Sequence, residues 1–261
     1  AFMSGIFFVN IGFGRLLTSN YAEYWKYGFW IIALFSIATV LMIRPLEIIE
    51  IPASEKKIFS GGLRFLLKPK IIYFFIIIFL MVLVEQSFNS WLPSFYKNNL
   101  KISTYFALQS SAFLALFSFF GRLITSKLIL RFHWFRLILI CLFIIFIILG
   151  ISQILITYFY EDYKYILVFL IPLVGLFLAP LYPLYNSEIL NKIPAEKTHY
   201  FVSIVVICSS LGSSLGSIYM AMIFYHKMSY FYPIFIFLPL LIIFGLTFVL
   251  NKTPITYDRK R

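Results

Sequence analysis

Four polar side chains interrupt one of the most apolar stretches of the chain, at Glu85, Gln86, Asn89 and Ser90. A carboxyl group inside hydrocarbon costs at least a few kcal/mol unless it meets water, a proton or a charged partner. Glu85 and Asn89 are four residues apart and therefore share one face of a helix. This patch predicts a helix that lines a path for a polar solute. The alternative is a buried Glu that only hydrogen-bonds to a neighbouring helix.

Glu85 has two candidate roles in such a path. The rise per residue of a helix places it about 18 Å from the nearer end of its apolar stretch. It can accept a hydrogen bond from a hydroxyl group of a solute such as a sugar. Alternatively, it can bind a proton, with an affinity that changes between two states of the protein. Gln109 lies at a depth similar to that of Asn89 and is a second candidate ligand. An interhelical hydrogen bond is the alternative for Gln109.

Three further side chains are candidate ligands of the solute. Tyr182 and Asn186 are four residues apart and can line a cavity after a proline-rich segment. The alternative for Asn186 is a position at the membrane interface, and we interpret Glu188 as interfacial. Trp91 can stack against a sugar ring. Its place near the end of an apolar stretch fits an aromatic belt at the membrane surface equally well.

Two other patterns favour structural roles. Gly212 and Gly216 form a GxxxG pair, which predicts that another helix backbone approaches closely. A cluster of basic residues lies earlier in the sequence, at Arg122, Lys127, Arg131 and Arg136. A solvated turn that binds lipid headgroups is the ordinary interpretation of this cluster, and a gate latch is the alternative.

The composition requires that lipid surrounds most of the chain. Hydrophobic residues make up 62% of the 261 residues and charged residues only 12%, whereas soluble domains have about 45–50% and 25%. This excludes a disordered tail, a disulfide scaffold, a nucleic-acid module and nearly every cytosolic enzyme fold. The net charge of +12 is explained by membrane topology, so no nucleic-acid partner is expected.

Apolar runs long enough to cross a bilayer recur along the whole sequence. A span needs about 20 mainly apolar residues, and a transmembrane barrel would instead show short segments of alternating polarity. The sequence therefore predicts an all-α integral membrane protein with about eight transmembrane helices. These spans are 1–17, 25–43, 71–97, 104–122, 134–157, 164–188, 200–224 and 230–250.

Basic residues are distributed unequally between the two sides of such a bundle. The linkers after the second, fourth, sixth and eighth spans hold 16 of the 22 Lys and Arg residues. By the positive-inside rule these linkers and both ends of the chain are cytoplasmic. We expect a multi-pass protein of the plasma (inner) membrane. The longest linker, residues 44–70, is predicted to lie as an amphipathic stretch on the inner leaflet.

The last six spans divide into two groups of three. The first member of each group contains prolines and polar residues, in VEQSFNSWLPSFY and in IPLVGLFLAPLYPLYNSE. Matched helices broken at proline in two halves indicate the binding site of a transporter. Because the two groups begin on opposite sides of the membrane, the sequence predicts inverted three-helix repeats.

At these residues the chain resembles the major facilitator superfamily, within it the branch of fucose:proton symporters and sugar permeases. The likeness rests on residues in the third, fourth and sixth spans and on the segment SSLGSSLGS in the seventh: Glu85, Trp91, Pro93, Tyr96, Gly121, Arg122, Gly175, Pro180 and Pro183. Members of that family have twelve helices in two bundles joined by a cytoplasmic loop. The basic loop lacks the Asp of the fuller family signature.

The resemblance implies a domain layout and a function. Residues 1–43 would be the last two helices of a truncated N-terminal bundle, 44–70 the central loop and 71–261 the six-helix C-terminal bundle. The chain starts at Ala1 inside an apolar run, and we interpret it as a fragment. The implied activity is secondary transport of a small polar solute, such as a sugar, by alternating access, with protons as the coupling ion.

Other classes of membrane protein make different demands on the sequence. A membrane-embedded transferase needs clustered His, Asp or Glu at a membrane face, and His133, His199 and His226 are scattered among linkers. The sequence therefore predicts no enzyme, no catalytic residue, no metal and no cofactor. A channel or structural subunit remains the alternative, because a helix bundle with one buried Glu suits those roles too.

Overall fold

The structure, a computed structural model, describes residues 2–19, 22–43 and 68–252, and within these ranges it contains helices and no strand. Two short 3₁₀ turns, Ala22–Lys26 and Ser229–Phe231, precede the second and the last helix. The helices are α1 (Phe2–Thr18), α2 (Tyr27–Ile43), α3 (Pro69–Asn98), α4 (Thr104–Leu128), α5 (Trp134–Tyr158), α6 (Tyr160–Leu170), α7 (Val174–Leu178), α8 (Leu181–Leu190), α9 (Ala195–Tyr225) and α10 (Tyr232–Lys252).

Helical segments coincide with all eight spans that the sequence predicts, so the all-helical membrane fold is confirmed. Seven segments of the described chain are long and apolar enough to cross a bilayer. The first span is not among these seven; it is found as α1, an apolar helix of 17 residues. The predicted amphipathic linker lies outside the described residues except for its last three, where α3 begins at Pro69.

Helix α3 is the centre of the bundle. It packs against α4, α9 and α10, and most of its apolar side chains are buried. In two matched repeats, α3 corresponds to the span that contains α7, α4 corresponds to α9, and α5 corresponds to α10. The α3–α9 contact then corresponds to the α7–α4 contact, and the α3–α10 contact to the α7–α5 contact. All four contacts are present. This pairing is the one that two matched three-helix repeats produce.

One end of the bundle carries a cluster of basic residues. The end at which α4 and α8 finish and α5 begins carries Lys127, Arg131, Arg136 and Lys192, and we term it the basic end. Lys192 Nζ lies 5.9 Å from the centre of the Trp134 ring, so the end of α8 meets the start of α5 there. At the opposite end the Tyr96 hydroxyl donates a hydrogen bond of 2.6 Å to the Leu167 carbonyl.

Proline interrupts one of the two predicted spans and not the other. The segment from Tyr163 to Leu190 is divided into α6, α7 and α8, as the sequence predicts. The prediction of a matching break in the third span is wrong, because α3 continues through Pro93 as a helix of 30 residues. A single proline removes one backbone hydrogen bond. The three prolines at positions 172, 180 and 183 remove enough backbone hydrogen bonds to break the helix.

Glycines of α9 allow it to lie directly on the backbone of α3. A Cβ atom on Gly212 would lie 2.4 Å from the Phe79 carbonyl oxygen, and one on Gly216 would lie 2.6 Å from the Leu83 carbonyl oxygen. Side chains do not tolerate such distances. The GxxxG prediction of close helix packing is therefore confirmed, and its partner is α3.

Gly216→Ala should lower the stability of the protein, because the new methyl group would collide with the backbone of α3. We expect a loss of about 1–3 kcal/mol. The matched control is Gly245→Ala in α10, where a Cβ atom meets nothing within 4 Å. There alanine should stabilise the helix by up to about 1 kcal/mol. Thermal unfolding in detergent measures both, and equal midpoints for the two variants would refute the packing argument.

Candidate functional site

Glu85 has a charged partner inside the bundle. Its Oε1 atom lies 3.8 Å from Nη2 of Arg122, which α4 brings beside α3. Glu85 is 16 residues from the start of α3 and 13 from its end, so the pair lies far from either terminus of that helix. The two side chains are 31% and 38% exposed respectively. The pair therefore satisfies both charges in the membrane interior while staying accessible to a cavity.

The contact between α4 and the broken span fixes the position of Arg122. A Cβ atom on Gly121 would lie 2.0 Å from the Leu176 carbonyl oxygen, so the two backbones touch at this glycine. On the facing helix, a Cβ atom on Gly175 would lie 2.8 Å from the Leu114 carbonyl oxygen. Glycine on both helices brings α4 and α7 together, and Arg122 follows directly after this contact.

Arg122 also binds a backbone carbonyl that proline leaves without a helical partner. Pro183 has no N–H group with which to bond the carbonyl of Ala179, four residues earlier. Nε of Arg122 lies 3.4 Å from that carbonyl oxygen and donates to it. The proline break thus provides the acceptor that orients the guanidinium group. The same group is within reach of Glu85 on the other side.

Two spaces of very different size meet at the ion pair. Glu85 lines a crevice of about 10 Å³ between α3, α4 and α7, which has room for about one water molecule at most. Arg122 lines a cavity of about 510 Å³ that extends from the pair toward the basic end. The cavity has the size of a small-molecule site. Its other lining residues come from α4, the residue after it, and α8 with its N-cap: Thr125, Ser126, Ile129, Pro180, Tyr182, Pro183, Leu184 and Ser187.

Some of the residues predicted as ligands lie in these two spaces. Asn89 is exposed and lines the crevice beside Glu85. Tyr182 lines the large cavity, and its hydroxyl group lies 3.4 Å from the Ser209 hydroxyl on α9. Asn186 is half-buried and donates its side-chain amide to the Tyr182 carbonyl at 3.2 Å. The third and sixth spans therefore both contribute polar groups to one region of the bundle.

Two other predicted ligands point elsewhere. Gln109 is buried in the contact between α4 and α1, where its Nε2 atom would lie 2.9 Å from a Cβ atom on Gly14. Trp91 packs on Phe224 of α9 with ring centres 4.8 Å apart. Both positions are helix contacts. Among the described residues the buried Nε2 atom of Gln109 has no hydrogen-bond partner, so the interhelical hydrogen bond that was the alternative for Gln109 is not seen at this atom.

The sequence interpretation placed Arg122 incorrectly. It ended the fourth span at Arg122 and grouped this residue with the basic turn, whereas α4 continues to Leu128. Arg122 is therefore about 9 Å inside the helix end. Thr125 and Ser126, which also line the cavity, were missed for the same reason. Their spacing of three and four residues from Arg122 would have placed them on its face, once the helix was extended.

The fold and this site define a class of protein. A bundle of membrane-spanning helices that encloses a charged pair beside a solute-sized cavity is typical of a multi-pass membrane transport protein.

Among the described residues, no group of three His, Cys, Asp or Glu side chains is arranged to hold a metal.

The chain belongs to the Major Facilitator Superfamily, whose family model matches residues 1–217. It is thus a membrane transporter of that family. No curated protein and no solved structure matches the chain significantly.

The ion pair should show strong coupling between its two members. Glu85→Gln and Arg122→Gln should each destabilise the protein by about 1–3 kcal/mol, because each leaves the other charge without its partner. The double variant should lose less unfolding free energy than the sum of the losses of the two single variants. Unfolding of the four proteins in a denaturing detergent measures this difference.

The control for this cycle is Arg131→Gln, at an exposed position after α4. This change removes the same charge from the same region and should alter stability by no more than about 0.5 kcal/mol. Effects of Glu85→Gln and Arg122→Gln that simply add would show that the two side chains do not interact.

Proposed function

We propose that this transporter is a secondary active carrier that moves a small polar solute by alternating access, and that Glu85 binds the coupling proton. One observation carries the proposal. The Glu85–Arg122 pair lies between a narrow crevice and a large cavity, so the charge state of the pair acts at the boundary between the two. With the predicted orientation, the cavity lies on the cytoplasmic side of the pair.

A proton on Glu85 would weaken the contact between α3 and α4. The Coulomb attraction to Arg122 disappears when the carboxylate is neutralised, and a lone guanidinium group is stable only in a wet space. Arg122 already lines such a space. Apart from Arg122, the described residues beside Glu85 in the crevice are uncharged: Phe88, Asn89, Leu114, Ala115, Ser118, Gly175, Leu178 and Ala179. Protonation would therefore act on this one ion pair.

The size of the crevice favours a carrier over the channel alternative. A channel needs a continuous water-filled path, and the crevice beside Glu85, at about 10 Å³, is too narrow for a solute at that point in this conformation. The solute must then cross by a change of helix packing. The smooth glycine contacts of α9 with α3 and of α4 with α7 suit helices that rock against each other.

The resemblance to fucose:proton symporters and sugar permeases makes sugars the first class of solute to test. In the same scheme, residues 1–43 belong to the N-terminal bundle, residues 44–70 form the cytoplasmic loop and residues 71–261 form the C-terminal bundle. Asn89, Tyr182 and Asn186 are proposed to bind solute hydroxyl groups from opposite sides of the site.

Glu85→Gln should uncouple transport from protons. The protein from the complete gene is reconstituted into liposomes that contain a pH-sensitive dye, with the sugar that best raises its thermal midpoint in a monosaccharide panel. The wild type should move protons when that sugar is added. Glu85→Gln should move none, while exchange of labelled for unlabelled sugar continues, because the amide cannot take up a proton.

The control for this experiment is Glu188→Gln. Glu188 of α8 forms an ion pair with Lys192, which follows α8. Neither residue lines the cavity, so the loss of the Glu188 charge should leave proton movement unchanged. Size-exclusion profiles verify that both variants are folded. Undiminished proton-driven uptake in Glu85→Gln would refute the proposed role of Glu85.

A further inference from the structure

The charge of the large cavity narrows the class of solute. Of its nine lining residues, Arg122 is the charged one, and Thr125, Ser126, Tyr182 and Ser187 contribute hydroxyl groups. The remaining lining residues are apolar. Neither of the two nearby carboxylates lines the cavity itself: Glu85 lies in the crevice beside Arg122, and Glu188 is paired with Lys192. The hydroxyl protons of Ser126 and Ser187 are already donated to the carbonyls of Leu123 and Leu184. Arg122 is therefore the main hydrogen-bond donor that a solute in the cavity meets.

Much of the hydrogen-bonding capacity of Arg122 is unused among the described residues. A guanidinium group has five N–H donors in a planar fork. One of them bonds to the Ala179 carbonyl, and the contact with Glu85 is 3.8 Å long, which exceeds the 2.7–2.9 Å of a direct charge-assisted hydrogen bond. The remaining donors can bind two oxygen atoms of one ligand group side by side. Carboxylate and phosphate groups have that geometry.

The start of α8 adds a second positive feature to the same cavity. Helix α8 has ten residues, begins at Leu181 and has no side chain that caps its N-terminus. Its N-cap Pro180 and its residues Tyr182, Pro183 and Leu184 line the cavity. The N-terminus of a helix carries a partial positive charge of about half an elementary charge. Both features therefore favour a negative group, and no lining residue repels one.

We infer that the solute of this carrier is a small organic anion, whose carboxylate or phosphate group binds to Arg122 in the large cavity. The inference rests on the proposed carrier function and specifies its substrate class. Glu85 and the solute then compete for the same guanidinium group. A proton on Glu85 removes the competitor, so proton and anion bind together, and one proton with a monovalent anion crosses without net charge. A sugar acid satisfies both this inference and the resemblance to sugar permeases.

Matched pairs of neutral and anionic compounds test this inference directly. The purified protein is titrated with galactose, galacturonate and galactose 1-phosphate at constant ionic strength, and the thermal midpoint is recorded. Galacturonate or galactose 1-phosphate should bind at least about tenfold more tightly than galactose, because a charge-assisted contact is added. Stabilisation by only one of the two anions identifies the group as carboxylate or phosphate.

Variants locate the anion at Arg122. Glu85→Gln should bind the anion several-fold more tightly than the wild type, because the competing carboxylate is gone. The double variant E85Q/R122Q should lose about 10- to 100-fold in affinity relative to E85Q. The matched control, E85Q/R131Q, removes an equal charge outside the cavity and should bind like E85Q. Since both charges of the pair are absent in E85Q/R122Q, no unpaired charge is left to unfold it.

Three results would overturn the inference. Equal shifts with galactose and the two anions would show that charge is not recognised. Equal anion affinity in E85Q/R122Q and E85Q/R131Q would show that the anion binds elsewhere. Stabilisation by galactose alone would also refute the inference that the solute is an anion, but it would leave the carrier proposal standing. No shift with any of the three compounds would count against both the anion inference and the carrier proposal.

Discussion

A charge inside a membrane bundle has to be neutralised within a few ångströms, and this constraint organises the centre of the molecule. Glu85 on α3 and Arg122 on α4 satisfy it jointly, since a net-neutral pair is far less costly in a low-dielectric interior than either charge alone. Their positions in turn depend on the close contact of α4 with α7 at Gly121. The pair therefore requires three helices to be correctly placed, although only two residues carry the charge.

Backbone groups in lipid obey the same constraint, and the prolines of this chain show how it is met. Pro183 leaves the Ala179 carbonyl without its helical donor, and Arg122 binds it from α4. Pro239 lies inside α10 and leaves the Phe235 carbonyl in the same situation. The Tyr219 hydroxyl of α9 donates to that carbonyl at 2.9 Å. Each of these two prolines thus creates an acceptor that a side chain of a neighbouring helix uses, which ties the helices together at the proline.

Two kinds of helix contact coexist in the bundle and have different consequences for movement. Glycine contacts, such as Gly216 of α9 on α3, are smooth and lack side chains that interlock. The ion pair between α3 and α4 is directional and depends on protonation. A carrier of the Major Facilitator Superfamily needs both kinds of contact. Smooth contacts let its helices slide past each other, and a directional ion pair stabilises one conformation relative to another.

The sequence by itself determined which segments are long and apolar enough to cross a membrane, that a carboxyl group lies within one of them, and that glycines on α9 allow close packing. These properties are local: the span predicted at 134–157 is found as Trp134–Tyr158 because apolar length alone decides it. The partner of Glu85 was decided only by the tertiary structure, as was the burial of Gln109 against α1. Lipid is as apolar as a helix contact, so hydropathy does not distinguish the face turned inward from the face turned to lipid. Only the packing of the helices makes that choice.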